Sequence, residues 1–193
     1  MLKTHPFSVP RNEACEPSEV TLSMTARPVR FPLVGGEKVR DNEHMTTTTF
    51  LVAGIDPAEA DRLRTAGGVT YVADSKPGYP CRQCLRDAEN GDEMLLVSYD
   101  PFATSSPYRC ASPIFIHSRP CALNDEEGLP VQLTSRTLSV RGFDKGAMML
   151  DAALIDGTDL GEVIDALFEN PAIDHLHIHN ASRGCWAARV QRG

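Results

Sequence analysis

The spacing of apolar positions changes period along this chain, and each change marks an element. Thr49–Ile55 is a run of β-branched and apolar residues that predicts a strand. Asp56-Pro57-Ala58-Glu59 then opens a helix, with a carboxylate cap, proline at the first helical position, glutamate at the third, and Gly67 to end it. Val69–Ala73 predicts a short strand. Glu89-Asn90-Gly91-Asp92 is a turn signature, and strands are expected over Met94–Tyr99 and Pro113–His117. Leu138–Gly142 and Met148–Ile155 predict a strand pair. The period then becomes helical. Leu160, Val163, Ile164, Leu167 and Phe168 form one apolar face behind an Asp159-x-x-Glu162 cap, and Pro171 is the stop. His175–His179 and Cys185–Val190 close the pattern around an Asn180–Gly184 turn. About eight strands and two helices make an α+β domain. The strands cluster instead of alternating with helices, so mostly antiparallel pairing is expected and a doubly wound sheet is not.

Residues 1–44 break this pattern. They hold five prolines, few large apolar residues and no periodic stretch, and their six basic and six acidic residues cancel. Such a segment cannot offset its ordering entropy by burial. The sequence therefore predicts a disordered extension or an upstream over-extension over 1–44 and a single domain over 45–193, with Met45 as a candidate start.

Composition adds limits. The chain has 193 residues, 41% hydrophobic and 23% charged, and a net charge of −7. That acidic balance argues against a nucleic-acid partner. No apolar run approaches the roughly 18 residues of a membrane span, so no membrane partner is expected. With no charged-then-apolar signal pattern at the start, the chain reads as cytoplasmic. In that compartment thiols stay reduced. The six cysteines are then ligands, reactive thiols or small core residues.

Two constellations carry chemistry. In the first, Cys81-x-x-Cys84 precedes a strand, and His117-x-x-x-Cys121 follows one. Zinc takes four such ligands in a tetrahedron, and each short-spaced pair reaches one ion from a single turn. Cys110 is a rival fourth ligand. The competing readings are a redox pair and small buried thiols. A thioredoxin-like CxxC would cap a helix, whereas a turn and a strand follow here. In the second, His175, His177 and His179 share one strand face, where they could hold a metal or supply a base; the alternative is a solvated face. The Asn180–Gly184 turn brings Cys185 near them, so Cys185 is either a nucleophile activated by His179 or a core residue beside Trp186. Arg183 and Arg189 are candidate anion contacts or plain surface charges.

The order of Tyr79-Pro-Cys-Arg82, Leu85-x-Asp-Ala88, Gly91-x-Glu93, Ser106-Pro-Tyr-Arg109 and His179-Asn-Ala-x-x-Gly-Cys185-x-x-Ala-Arg189 resembles the bacterial domain of unknown function 1203. The resemblance spans roughly 45–192 and implies no reaction. It points to Cys81, Arg82, Tyr108, Arg109, His179, Asn180, Cys185 and Arg189 as the shared residues. Some members carry Thr where Cys84 stands and lack the His-x3-Cys pair, so a metal here would belong to a branch of the family and be structural. Trp186 stands where a Tyr is usual, which keeps the ring and loses the hydroxyl.

Two functions follow as expectations. The first is a small binding or interaction module with structural Zn²⁺ on Cys81, Cys84, His117 and Cys121, and with an unknown small molecule or protein as partner. The second is an enzyme on a small anionic substrate. Cys185 and His179 would be its catalytic pair, and Arg82, Tyr108, Arg109, Asn180 and Arg189 would bind the substrate.

Overall fold

Local signals explain most of the elements in the computed structural model, which describes residues 49–124 and 128–193. In chain order these are β1 (Phe50–Ala53), α1 (Pro57–Ala66), β2 (Val69–Val72), β3 (Glu93–Tyr99), β4 (Ser112–His117) and the short α2 (Val131–Thr134). Then come β5 (Thr137–Phe143), β6 (Met149–Asp156), α3 (Leu160–Phe168), β7 (His175–Asn180) and β8 (Trp186–Arg192). One sheet has the order β1-β8-β7-β5-β6 and the other β2-β3-β4, and the strands pair antiparallel. The fold of the described residues is therefore α+β with eight mostly antiparallel strands, as the clustering of strand signals predicts. The extension and domain boundary expected at 44/45 lie outside the described residues. No helix among the described residues is long and apolar enough to cross a membrane.

The α1 cap forms as its sequence dictates. The Asp56 carboxylate accepts from the Ala58 and Glu59 N–H groups, and Gly67 ends the helix at φ 82°. Such a cap contributes about 1 kcal/mol. The α3 cap does not form. A 3-10 turn over Gly157–Asp159 feeds the helix, and Asp159 has φ −94° and ψ 4°. Its carboxylate makes no cap bond, because capping needs extended backbone that aims the oxygen at the helix N–H groups. Helix α3 nevertheless buries Leu160, Ile164, Leu167 and Phe168, the face its periodicity foretold. Each such side chain contributes roughly 1.5–3 kcal/mol on burial. They pack with Leu176, Ile178, Ala188 and Val190 of β7 and β8 to form one core.

A second core lies around the smaller sheet. It gathers Val97, Ile114 and Ile116 with Ile55 and Ala60, and it takes in Cys81, Cys84 and Trp186. The opposite face of β7, expected to be a solvated face if not a site, is covered. His175, His177 and His179 are buried with the apolar residues between them. Phe102, from the loop after β3, lies 4.8 Å from the His177 ring, and Tyr108 from the same loop lies 5.9 Å from Phe143. That loop closes the face from above, which strand periodicity does not reveal.

Candidate functional site

The Cys81–Cys84 turn is built by backbone bonds. Cys81 donates to the Arg86 carbonyl (2.9 Å), Leu85 donates to the Cys81 carbonyl (3.1 Å), and Arg82 donates to the Phe115 carbonyl of β4 (2.8 Å). Leu85 sits at φ 55°, the left-handed region that tightens the turn. Ile55 donates to the Arg82 carbonyl (2.7 Å), which draws the β1–α1 loop against the turn. Gly54 is required there, since a Cβ would lie 2.4 Å from the Arg82 oxygen.

Strand β4 runs beside this turn and ends at His117. The Cys81 and Cys121 sulfurs are 3.8 Å apart, and Cys84 Sγ is 3.8 Å from His117 Nδ1. All four donor atoms lie within 4.8 Å of one another. A tetrahedron of Zn–S bonds of ~2.3 Å places two sulfurs about 3.8 Å apart, so the cluster has the size of a metal site. His117 turns its other nitrogen, Nε2, toward Asp92 Oδ2 at 3.5 Å. A ligating histidine is commonly held this way, with a carboxylate behind it. Asp92 is itself oriented by the Glu89 N–H (2.9 Å). The turn signature at 89–92 thus supplies this carboxylate, and sequence reasoning passed over it as a turn residue. Arg64 of α1 donates to the His117 carbonyl (2.9 Å) and to Gln83 Oε1, and Gln83 donates to the Cys121 carbonyl (3.2 Å).

Electrostatics fit the same use. Hydrogen bonds from the Cys121 and Cys84 thiols hold the Cys81 thiol well below its usual range. Hydrogen bonding in the same cluster pushes Cys84 up, first against Cys121, and pushes Cys121 up to about 11, first against Cys81. His117 rises to about 10 through its bonds to Cys81 and Cys84. One thiolate is stabilised here, and a second beside it is not. A divalent cation at the centre reverses that, because coordinated thiols deprotonate outright. Cys110 is exposed with its thiol against the Ala111 carbonyl (3.6 Å), away from the cluster.

The histidines of β7 form a row and not a cluster. Ring centroids of His175 and His177 are 5.1 Å apart, and those of His177 and His179 are 6.3 Å apart. His177 is 1% exposed, and neither of its ring nitrogens has a hydrogen-bond partner among the described residues. Burial, aided by the neighbouring His175 and His179, lowers its pKa to about 2. His179 falls to about 4, also by burial, with its Nδ1 at 2.9 Å from the Gly184 carbonyl. Trp186 Nε1 and Arg189 Nε are likewise buried without partners.

The residues named by the resemblance divide among four places, Cys81 belonging to the cluster just described. Arg82, Asn180 and Cys185 line one cleft of about 780 Å³, together with Arg136 and Arg183. Arg136 carried no sequence signal for this role. Tyr108 and Arg109 lie in the loop that covers the histidine row, with Arg109 bonded to Asp100 (2.8 Å). His179 belongs to the row itself, and Arg189 lies on β8 in register with His177. The Cys185 thiol approaches the Arg183 carbonyl (3.8 Å), and no hydrogen bond among the described residues joins it to His179. Gly184 takes φ 72° in the turn between them.

The fold and site define an α+β protein with a Cys3His cluster of metal-site dimensions. The family model described as "Protein of unknown function (DUF1203)" matches residues 78–192, and the chain belongs to that family. No curated protein and no solved structure matches.

Proposed function

We propose that Cys81, Cys84, His117 and Cys121 hold one Zn²⁺ as a structural ion, and that the chain is a small binding or interaction module built on a single domain over 45–193. One observation carries this reading: four soft or borderline donors from two segments of the chain lie within 4.8 Å of one another. Three thiolates and an imidazole suit zinc, and four protein ligands leave no position for water or substrate. Closed coordination argues for a structural role. The ion would tie the turn at 81–84 to the end of β4 and, through Arg64, to α1.

The competing enzyme reading has partial support. Arg82, Asn180 and Cys185 share a cleft, which favours ligand binding. Catalysis by Cys185 with His179 lacks the hydrogen bond such a pair uses. Metal analysis of the purified protein tests the zinc proposal. One equivalent of zinc per chain is expected, and Cys84→Ser should abolish it while Cys110→Ser leaves it intact. Less than about half an equivalent in the parent protein would sink the proposal.

A further inference from the structure

The turn that presents the sulfur ligands also buries Arg82 between them. Its side chain is 3% exposed. Nε donates to the Trp186 carbonyl (2.9 Å), and Nη1 donates to Gln132 Oε1 (2.9 Å) and the Pro80 carbonyl (3.4 Å). Among the described residues Nη2 donates to nothing, and no carboxylate pairs with this guanidinium. A buried charge without a counter-charge is costly. Its neutral partners fix the orientation of the fork, and the nearest carboxylate, that of Asp87, acts on it only at a distance because it pairs directly with Arg136.

Arg82 lines the 780 Å³ cleft with Arg136 and Arg183. Arg136 is paired with Asp87 at 2.6 Å, so among the described residues the three guanidinium groups have one directly paired carboxylate between them. Among the described residues no acidic side chain lines the cleft, although the chain as a whole carries −7. The lining also holds three aromatic rings, Tyr71, Tyr79 and Phe115. Phe115 stands 5.2 Å from Tyr79 and 5.5 Å from Tyr71, edge to face.

We infer that this cleft binds a small organic oxyanion, an aryl carboxylate or aryl phosphate, with its anionic head on Arg82 and Arg183 and its flat apolar body against Tyr71, Tyr79 and Phe115. Guanidinium groups suit both carboxylate and phosphate by their planar forks, and the rings supply the apolar contact. The inference rests on the binding-module reading and names its ligand class; Cys81 and Cys84 flank Arg82, so an ion there would steady the guanidinium without being needed for the cleft.

The test titrates the full chain with phenyl phosphate, benzoate and the neutral benzyl alcohol, by calorimetry and by amide chemical-shift mapping. Zinc content is measured on the same sample. At least one of the two aryl anions should bind at least about tenfold more tightly than the alcohol, and that binding should weaken with salt. Shifts should centre on Tyr79, Arg82 and Asn180. Arg82→Met should abolish binding. Exposed Arg183→Ala, which leaves the fold alone, should weaken it about three- to tenfold. Equal binding of the alcohol, shifts centred elsewhere, or unchanged affinity in Arg183→Ala would overturn the inference. Loss of zinc with anion binding retained would remove the structural-ion reading and leave the cleft standing. A zinc-loaded protein that binds neither anion would do the reverse.

Discussion

Two histidine-bearing regions look alike as strings of residues and differ in three dimensions. At 81–121, the donors come in pairs from two separate segments. A turn and the end of β4 point them at one centre, and Asp92 stands behind His117 at 3.5 Å. At 175–179, the donors alternate along a single strand. A strand rises about 3.3 Å per residue, so the first and last of three alternate side chains start roughly 13 Å apart. Such a row cannot close on one ion without leaving the sheet. The row is buried among Phe102, Phe143 and Trp186 and behaves as core. Sharing a face is thus weaker than sharing a centre, and convergence needs donors from separate segments.

Breaking the first region should have the largest effect. Cys84→Ser, or chelation of the parent protein, should lower Tm by roughly 10 °C or more, as a loss of about 3–5 kcal/mol implies at this size. That is well below the full binding energy of isolated finger peptides, since this domain keeps two cores of its own. A Tm unchanged within a degree or two would place both regions in the same class, as packing.

The second region should respond to acid. His177 and His179 have folded pKa values of about 2 and about 4, below the ordinary 6.5. Between about pH 6.5 and 4 the unfolded chain therefore binds protons that the folded chain does not. Their contribution is complete above about pH 6.5 and is lost as pH falls, down to about 4 for His179 and on to about 2 for His177. The slope is up to about 1.4 kcal/mol per pH unit for each histidine. His177→Phe removes one titrating ring and two unpartnered nitrogens, so stability at pH 7 should hold within about 1 kcal/mol or rise. Its slope between pH 6 and 4.5 should flatten relative to the parent. Denaturant unfolding across pH measures both, and a loss above ~3 kcal/mol at neutral pH would show that the ring's polarity is used.

The smallest effect is expected outside both regions. A chain beginning at Met45 should melt within a few degrees of the full chain in calorimetry. A larger drop would mean that residues 1–44 contribute to the fold.

Much of the architecture was legible in the sequence because its causes are local. The carboxylate and proline that start α1, the five apolar positions of α3 and the turns around Gly91 and Gly184 each act over a few residues, and each element stands where those residues put it. The four sulfur and imidazole donors were legible for a related reason, since short spacing within each pair is itself a chelate geometry. Other features lay beyond it. Asp159 has the residue type of a cap and makes no cap bond, because the 3-10 turn before it fixes its backbone. The turn signature marked Asp92 and nothing in the string tied it to His117, which lies 25 positions later and meets it only because β3 pairs with β4. Arg82 and Arg136 became neighbours only when α2 placed Gln132 over the turn, where it accepts from Arg82 Nη1 and donates to the Cys81 carbonyl (3.3 Å). Residue type and short spacing settle what a segment does by itself. Which distant charges share a cleft, and which histidines lose their water, depends on packing between segments, and that is decided only when the sheets and loops close.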